Sequence, residues 1–312
     1  MEHVQHNLGK CNELKAMVKR KDQRHFKYIM INNNPITEKT ISIVMTSHER
    51  SSQVYYTLDT INRCIYKDIQ VILVDDSVRD PVDVNRLSQY DFTIELLRVN
   101  RAIKCWSNPC VNYNIGFEFV RGGKVIIQNS EVCYVGDVLS YVNQIVIDNK
   151  YYVFDVKASR NHETNNIIYK KQVLTTDIYN EDIWDRWYQH YIQWNQNYHF
   201  LCAMTSATFD KIGGFSYDYS FGSGYDDNDL LIKIRYQGVQ ITNVYHDIFN
   251  VGGIHLFHGY NMPDKRAYDS PQNNILFEKK QRYVDTFHTY LELSDYVQPD
   301  DLTNYFLKLC QV

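Results

Sequence analysis

Apolar residues are gathered into short blocks whose period changes along the chain. Ile41-Ser42-Ile43-Val44-Met45 and Val71-Ile72-Leu73-Val74 are runs with almost no polar interruption, the pattern of strands covered on both faces. Between them Val54, Leu58, Ile61 and Ile65 recur at intervals of four, three and four. That spacing puts them on one stripe of an amphipathic helix. A further strand is predicted over 93–99. Asn108-Pro109 then supplies an N-cap and a first-turn proline. The helix it opens carries Val111, Ile115 and Phe119 inward until Gly122-Gly123 stops it. Lys124-Val125-Ile126-Ile127-Gln128 follows as a strand. Strand, helix, strand, strand, helix, strand is the order of a doubly wound α/β sheet.

Beyond Gly136 the pattern predicts a helix to about residue 149, with Val138, Val142 and Ile145 on one side, and then a strand over 151–156. Residues 157–200 lose periodicity and collect Trp184, Trp187 and Trp194, as long functional loops do. Phe209 and Ile212 mark a short helix stopped by Gly213-Gly214. Gly222-Ser223-Gly224 leads into an acid-rich start, and Leu230, Leu231 and Ile234 carry that helix to Gly238. Helical pieces are also predicted over 277–293 and 302–309. Residues 1–39 read as an extension. There Leu14, Met17 and Val18 form one helix face, opposite the basic Lys15, Lys19, Arg20, Lys21 and Arg24. A solvated helix is the expectation, and weak contact with an anionic membrane surface is the alternative.

Composition narrows the class only a little. The chain has 312 residues, 44% apolar, and a net charge of −4, which excludes a general nucleic-acid binder. Seven scattered cysteines, none in a C-x-x-C pair, suit reduced thiols in a cytoplasmic protein. No apolar run approaches the roughly 18 residues of a membrane span, and Met1-Glu2-His3-Val4-Gln5-His6 lacks the apolar centre of a signal peptide. The 26 tyrosines would suit a sugar site, and a compositional bias explains them equally well.

Four groups are candidates for chemistry. Asp75-Asp76 ends a strand at the carboxyl edge of the sheet, where open α/β sheets bind ligands. A carboxylate there could accept the imide N–H of a uracil ring, with His48 stacking on the ring and Thr46 holding an edge; a solvated turn is the plain alternative. Asn129-Ser130-Glu131 ends a second strand, where Glu131 could hold Mg²⁺ or Mn²⁺ and Asn129 could reach a ribose or a water. Asp226-Asp227-Asn228-Asp229 puts three acids at a helix start; one is explained as a cap, and the excess suggests a general base. His255 and His258 could complete a metal's coordination. In a helix both would share a face, and in a strand only one could be a ligand.

Taken in order, these groups resemble the nucleotide-sugar glycosyltransferases of the GT-A fold, most of all the inverting family 2 enzymes, over about residues 40–265. Ser42 to Arg50, with Thr46, His48 and Glu49 at the exit, resembles that family's uridine-contacting first strand. Val74-Asp75-Asp76-Ser77 resembles its second-strand motif, which implies that Asp76 binds uracil. Asn112-Tyr113-Asn114-Ile115-Gly116 resembles the Arg-Asn-x-Gly helix near the donor sugar, with Tyr113 at the usual Arg and Asn114 toward the donor. Gln128-Asn129-Ser130-Glu131 falls at the D-x-D position with the first acid replaced by Asn129; this gives weight to His255 or His258 beside Glu131. The stretch from Gly213 to Asp229 resembles the acceptor-side element of galactosyl- and N-acetylgalactosaminyltransferases. That likeness implies Asp227 as base and Asp226 as a hydrogen-bond partner of a sugar.

The resemblance implies a Rossmann-like mixed sheet flanked by helices, with a C-terminal helical tail. Its parts would be an extension (1–39), a nucleotide-sugar half (40–150), an acceptor and catalytic half (151–265) and the tail (266–312). The implied activity is metal-dependent, inverting transfer of a hexose or N-acetylhexosamine from a UDP-sugar to a hydroxyl of a glycan, protein or lipid. Self-association is also allowed for. A non-catalytic nucleotide-sugar or glycan binder on the same fold is the alternative, motivated by Asn129-Ser130-Glu131. A sugar-1-phosphate nucleotidyltransferase ranks lower, because Glu49-Arg50-Ser51-Ser52 lacks the glycines of a phosphate loop.

Overall fold

The computed structural model describes residues 2–259 and 271–292. Its centre is built as the apolar runs predict. β2 (Ile41–Ser47), β3 (Ile69–Asp75) and β4 (Thr93–Val99) lie side by side in parallel, and β5 (Lys124–Asn129) adds to β2, also in parallel. Val44, Ile72 and Leu96 are wholly buried, as strands covered on both faces must be. α2 (Ser51–Arg63) covers one face through Val54, Leu58 and Ile61; Ile65, the fourth residue of the predicted stripe, lies beyond the helix end and is exposed. The short α3 (Val84–Leu87) follows β3, and α4 (Cys110–Phe117) covers the other face. It lies so close to the sheet that a Cβ at Gly116 would sit 2.8 Å from Val44 Cγ1, which is why glycine stands there.

The N-terminal segment is more than an extension. α1 (Glu2–Lys19) buries Leu14, Met17 and Val18 in the core, and β1 (Phe26–Ile31) joins the sheet edge antiparallel to β4. Of its basic residues, Lys19 pairs with Glu118 and Arg24 with Asp22. Among the described residues the large sheet has eight strands, ordered β1-β4-β3-β2-β5-β10-β7-β11, with β7 at Lys150–Phe154, β10 at Leu201–Thr205 and β11 at Gln240–Val244. β10 runs antiparallel to its neighbours, so the sheet is mixed.

The predicted strand over 151–156 is two strands. β7 stays in the large sheet, and β8 (Val156–Ser159) turns into a second sheet of four, ordered β6-β12-β8-β9. Its other members are β6 (Val132–Val135), β9 (Trp184–Gln189) and β12 (Gly252–His255). Asp155, at the break, is buried; its carboxylate accepts the backbone N–H groups of Tyr191 and His246 and pairs with His246 Nδ1 at 2.9 Å. The region read as aperiodic thus holds β9 and the helix α6 (His162–Tyr169). Trp184 is core, packed on Tyr179.

α5 (Val138–Ile145) stops before residue 149, since Val146 is already extended. α7 (Ser206–Ile212) ends on left-handed Gly213, and α8 (Asp226–Tyr236) ends before Gly238, both as predicted. The last described helix spans Pro271–Phe287. The piece predicted over 302–309 lies outside the described residues. Among the described residues, no helix is long and apolar enough to cross a membrane.

Candidate active site

Parallel β2, β3 and β5 end at one edge, and their register aligns the ends: Ser47 pairs with Asp75, and Thr46 with both Val74 and Asn129. β10 starts at that edge, because it runs antiparallel to β5 with Leu201 opposite Gln128. The result is a cleft of about 1010 Å³ whose walls include Thr46, His48, Asp76, Asn129, Glu131, Asp226, Asp227 and His258. Residues separated by up to 212 positions therefore share one space, at the edge where open α/β sheets bind ligands.

Asp76 is buried and doubly paired. Arg101 Nη1 lies 2.9 Å from Oδ1, and Lys104 contacts Oδ2. Burial lowers the Lys104 pKa, and the Asp76 charge opposes that shift. Asn112, whose Oδ1 accepts from Trp106, donates to Asp76 Oδ2 at 3.4 Å. His48, expected to stack on a uracil ring, meets the Asp76 carbonyl through Nδ1 at 2.8 Å.

Glu131 sits in the tight turn from β5 to β6. β6 pairs antiparallel with β12, which sets His255 opposite Val132, and the Glu131 carbonyl accepts the Leu256 N–H at 2.9 Å. His255 closes the strand and His258 follows in the loop. The two rings therefore converge without a helix, with Nε2 atoms 3.3 and 3.4 Å from Glu131 Oε1. Burial works against the Glu131 charge, but Arg50, His255 and His258 overcome it and hold the carboxyl well below its usual range. Burial also lowers the His255 pKa, favouring the neutral imidazole that binds metals. Arg50 contacts the same Glu131 oxygen.

This donor set fits a divalent cation. One carboxylate and two imidazoles offer ligand atoms within 4.8 Å of one another, and His255 Nε2 and His258 Nδ1 are buried without a hydrogen-bond partner. A second cluster, Asp155, His190 and His246, lies outside the cleft wall. Its carboxylate is taken up by N–H donors, and His190 Nδ1 faces the N–H groups of Ile192 and Gln193, so it reads as a structural knot.

On the opposite wall, α8 begins with its acids. Gly224 and Tyr225 both have positive φ, +75° and +67°, and this sharp entry brings Asp226 and Asp227 to the cleft. Asp226 is buried and accepts from Asn108 Nδ2 at 3.0 Å; Asn108 Oδ1 in turn accepts the Cys110 N–H, so one side chain ties the starts of α4 and α8. Pro109, rather than Asn108, is the residue just before α4. Burial, and then the neighbouring Asp227 charge, push the Asp226 carboxyl up to about 7. Asp227 pairs with His199, Nδ1 to Oδ1, at 2.5 Å. Burial disfavours charge on His199, yet Asp227, Asp226 and Glu131 outweigh it and raise its pKa.

Three of the expected donor contacts are engaged elsewhere. Both ends of the Asn114 amide bond the backbone of Phe215, at 2.9 and 3.0 Å, and Asn114 is absent from the cleft wall. The Glu49 carboxylate accepts the N–H groups of Val78, Arg79 and Asp80, which shapes the turn beside the cleft. Ser130 is fully buried and donates to Glu131 Oε2. Conversely, Arg101, Lys104 and His199 went unread. Arg101 and Lys104 follow β4 at the same sheet edge that singled out Asp76, and that was the available signal. His199 could be placed only once the direction of β10 was known.

A family model described as the N-terminal domain of galactosyltransferase matches residues 189–258. No curated protein matches the chain. Among solved structures, S. aureus TarS 1-349 in complex with UDP-GlcNAc is similar with a TM-score of 0.57 at 12% identity, over 86% of this chain and 72% of that one. The UDP complex of the same fragment gives 0.55 at 10% identity, over 88% and 72%. A longer TarS chain gives 0.55 at 11% identity; the match covers 86% of this chain and 43% of that one, so this chain spans less than half of it. At such identities the likeness is one of fold. The matched domain runs from the last residue of β9 through the acids of α8 to the histidine pair, and the mixed sheet that carries it has the GT-A fold of these solved structures.

Proposed function

We propose that the protein is a metal-dependent inverting glycosyltransferase that moves a hexose or N-acetylhexosamine from a UDP-sugar to a hydroxyl of a glycan, protein or lipid acceptor. One observation carries the reading: Asp76, Glu131 with His258, and Asp227 line the same cleft. Asp76 addresses the uracil imide while Arg101 and Lys104 fix its carboxylate. Glu131, His255 and His258 would hold Mn²⁺ or Mg²⁺, and the bound cation would supply positive charge beside the departing diphosphate. Asp227 takes the proton of the acceptor hydroxyl as its oxygen attacks the anomeric carbon. The bond from that carbon to the diphosphate oxygen breaks in the same displacement, and UDP leaves with the electron pair. A single displacement inverts the configuration. Asp226, whose carboxyl burial pushes up to about 7, can in its neutral form donate a hydrogen bond to a sugar oxygen.

Release of UDP from UDP-galactose and UDP-N-acetylglucosamine, with Mn²⁺ and with EDTA, tests the activity. Asp227→Asn should abolish release and leave UDP binding within about twofold, as loss of a group used only in the transition state does. Full turnover by that variant would move the base elsewhere. A non-catalytic binder, which the replaced Asn129-Ser130-Glu131 motivates, would bind UDP and release none from any donor.

A further inference from the structure

His199 is in neither the nucleotide-facing nor the metal-facing set, yet it makes the closest contact to the proposed base. It stands just before β10, 7% exposed, with Nδ1 2.5 Å from Asp227 Oδ1. Its ring cannot swing freely. Tyr113 meets it edge-on at 4.7 Å and 85°, and Phe215 does so at 4.9 Å and 74°. Tyr113 is anchored in turn, its hydroxyl donating to the Gln128 carbonyl at 2.9 Å. Asn114 fixes Phe215 through the two backbone bonds described above. The cage around the imidazole is therefore built from α4 and the segment after α7, both packed on the large sheet.

Asp227 is held asymmetrically. Oδ1 is buried against His199 Nδ1, 2.5 Å away. The side chain as a whole is 26% exposed, and that exposure opens on the cleft. One oxygen is spoken for, and the other is left to face an incoming hydroxyl. A carboxylate free to rotate at the mouth of a 1010 Å³ cleft would seldom offer its lone pair along the attack line.

We propose that His199 is a positioning residue for Asp227, holding one carboxylate oxygen so that the other is aimed at the acceptor hydroxyl. The inference rests on Asp227 being the base. It assigns a purpose to a buried histidine outside the proposed nucleotide and metal sets, and to the aromatic cage that surrounds it.

The test compares His199→Phe, which fits the cage and removes the N–H, with His199→Asn, which returns an N–H near the place of Nδ1. Asp227→Asn is run beside them. UDP release from UDP-galactose and UDP-N-acetylglucosamine is measured with N-acetylglucosamine as acceptor, and UDP affinity by calorimetry with Mn²⁺. His199→Phe should lower kcat about 100-fold, the scale on which misplacement of a reacting group acts. UDP affinity should stay within about twofold, and His199→Asn should recover at least about tenfold of the lost kcat. Asn matching Phe would overturn the proposal, and so would a Phe variant with kcat within about threefold of the parent while Asp227→Asn is dead. Turnover by Asp227→Asn would instead remove the base assignment, and this inference with it. If His199→Phe folds poorly, the Asn variant decides alone: kcat within about tenfold of the parent supports positioning, and a larger loss overturns it.

Discussion

Lys280 gives the sharpest stability prediction. It is fully buried on the Pro271–Phe287 helix, with Nζ 2.9 Å from Asp218 Oδ2 and 3.0 Å from Asp229 Oδ1. Both carboxylates are at most 1% exposed. Burial disfavours the ammonium, but Asp218, Asp229 and Glu292 outweigh it and raise its pKa. Lys280→Met keeps the stem and removes the charge, leaving two acids in a dry site. Breaking a buried pair from one side costs about 3–5 kcal/mol. For 312 residues, an unfolding entropy of about 2.1 cal/mol/K per residue turns that loss into a Tm drop of about 5–8 °C. The deficit should also depend on pH. Burial raises the Asp218 pKa, and without Lys280 to oppose it Asp218 holds its proton to higher pH in the folded chain than in the unfolded one. The variant therefore regains stability as pH falls. Scanning calorimetry at pH 8 and pH 5 should show the larger gap from the parent at pH 8. A Tm within about 2 °C of the parent at pH 8, or a gap that ignores pH, would refute the reasoning.

Two further outcomes follow from the cleft. Glu131→Gln should weaken Mn²⁺ binding at least about tenfold, as loss of a carboxylate ligand does, and leave UDP affinity in EDTA unchanged; titration calorimetry with the metal alone checks this, and unchanged Mn²⁺ affinity would place the cation elsewhere. Burial, and then the Asp227 charge, push the Asp226 carboxyl from its ordinary 3.8 up to about 7. Across that window the folded chain keeps a proton the unfolded chain has lost, so stability falls as pH rises and levels off above about 7. Asp226→Asn should flatten that slope in chemical denaturation at several pH values, and an unchanged slope would count against the buried carboxyl.

The centre of the fold was legible because β2 and β3 are buried on both faces, so their apolar runs are unbroken, and α2 and α8 carry helical stripes. Asp76, Glu131 and Asp227 stood out because acids at strand ends and in a helix's first turn are conspicuous. The second sheet was not legible. β6, β8 and β12 have only four residues each and pair across long separations, which no local period encodes. The break at Asp155 fell inside the single strand predicted over 151–156, because the residues on both sides are apolar. β1 escaped because only its two ends, Phe26 and Ile31, are fully buried, as befits an edge. The two histidines were read as alternatives, since a strand sends residues three apart to opposite faces. The strand ends at His255, and the loop beyond it returns His258 to the same side.

The large sheet passes to the small one at Glu131, between β5 and β6, and at Asp155, between β7 and β8. Glu131 directly precedes β6 and His255 ends β12, to which β6 is paired, so Glu131, His255 and His258 are gathered on the small sheet. Asp227 rides on α8, whose Leu230 and Ile234 are rooted in the core of the large sheet. A small slip of one sheet against the other would leave the chelating atoms undisturbed and change only the gap across which the sugar must jump. On the proposed mechanism, grip on the leaving group would thus be separate from the reach of the attacking one.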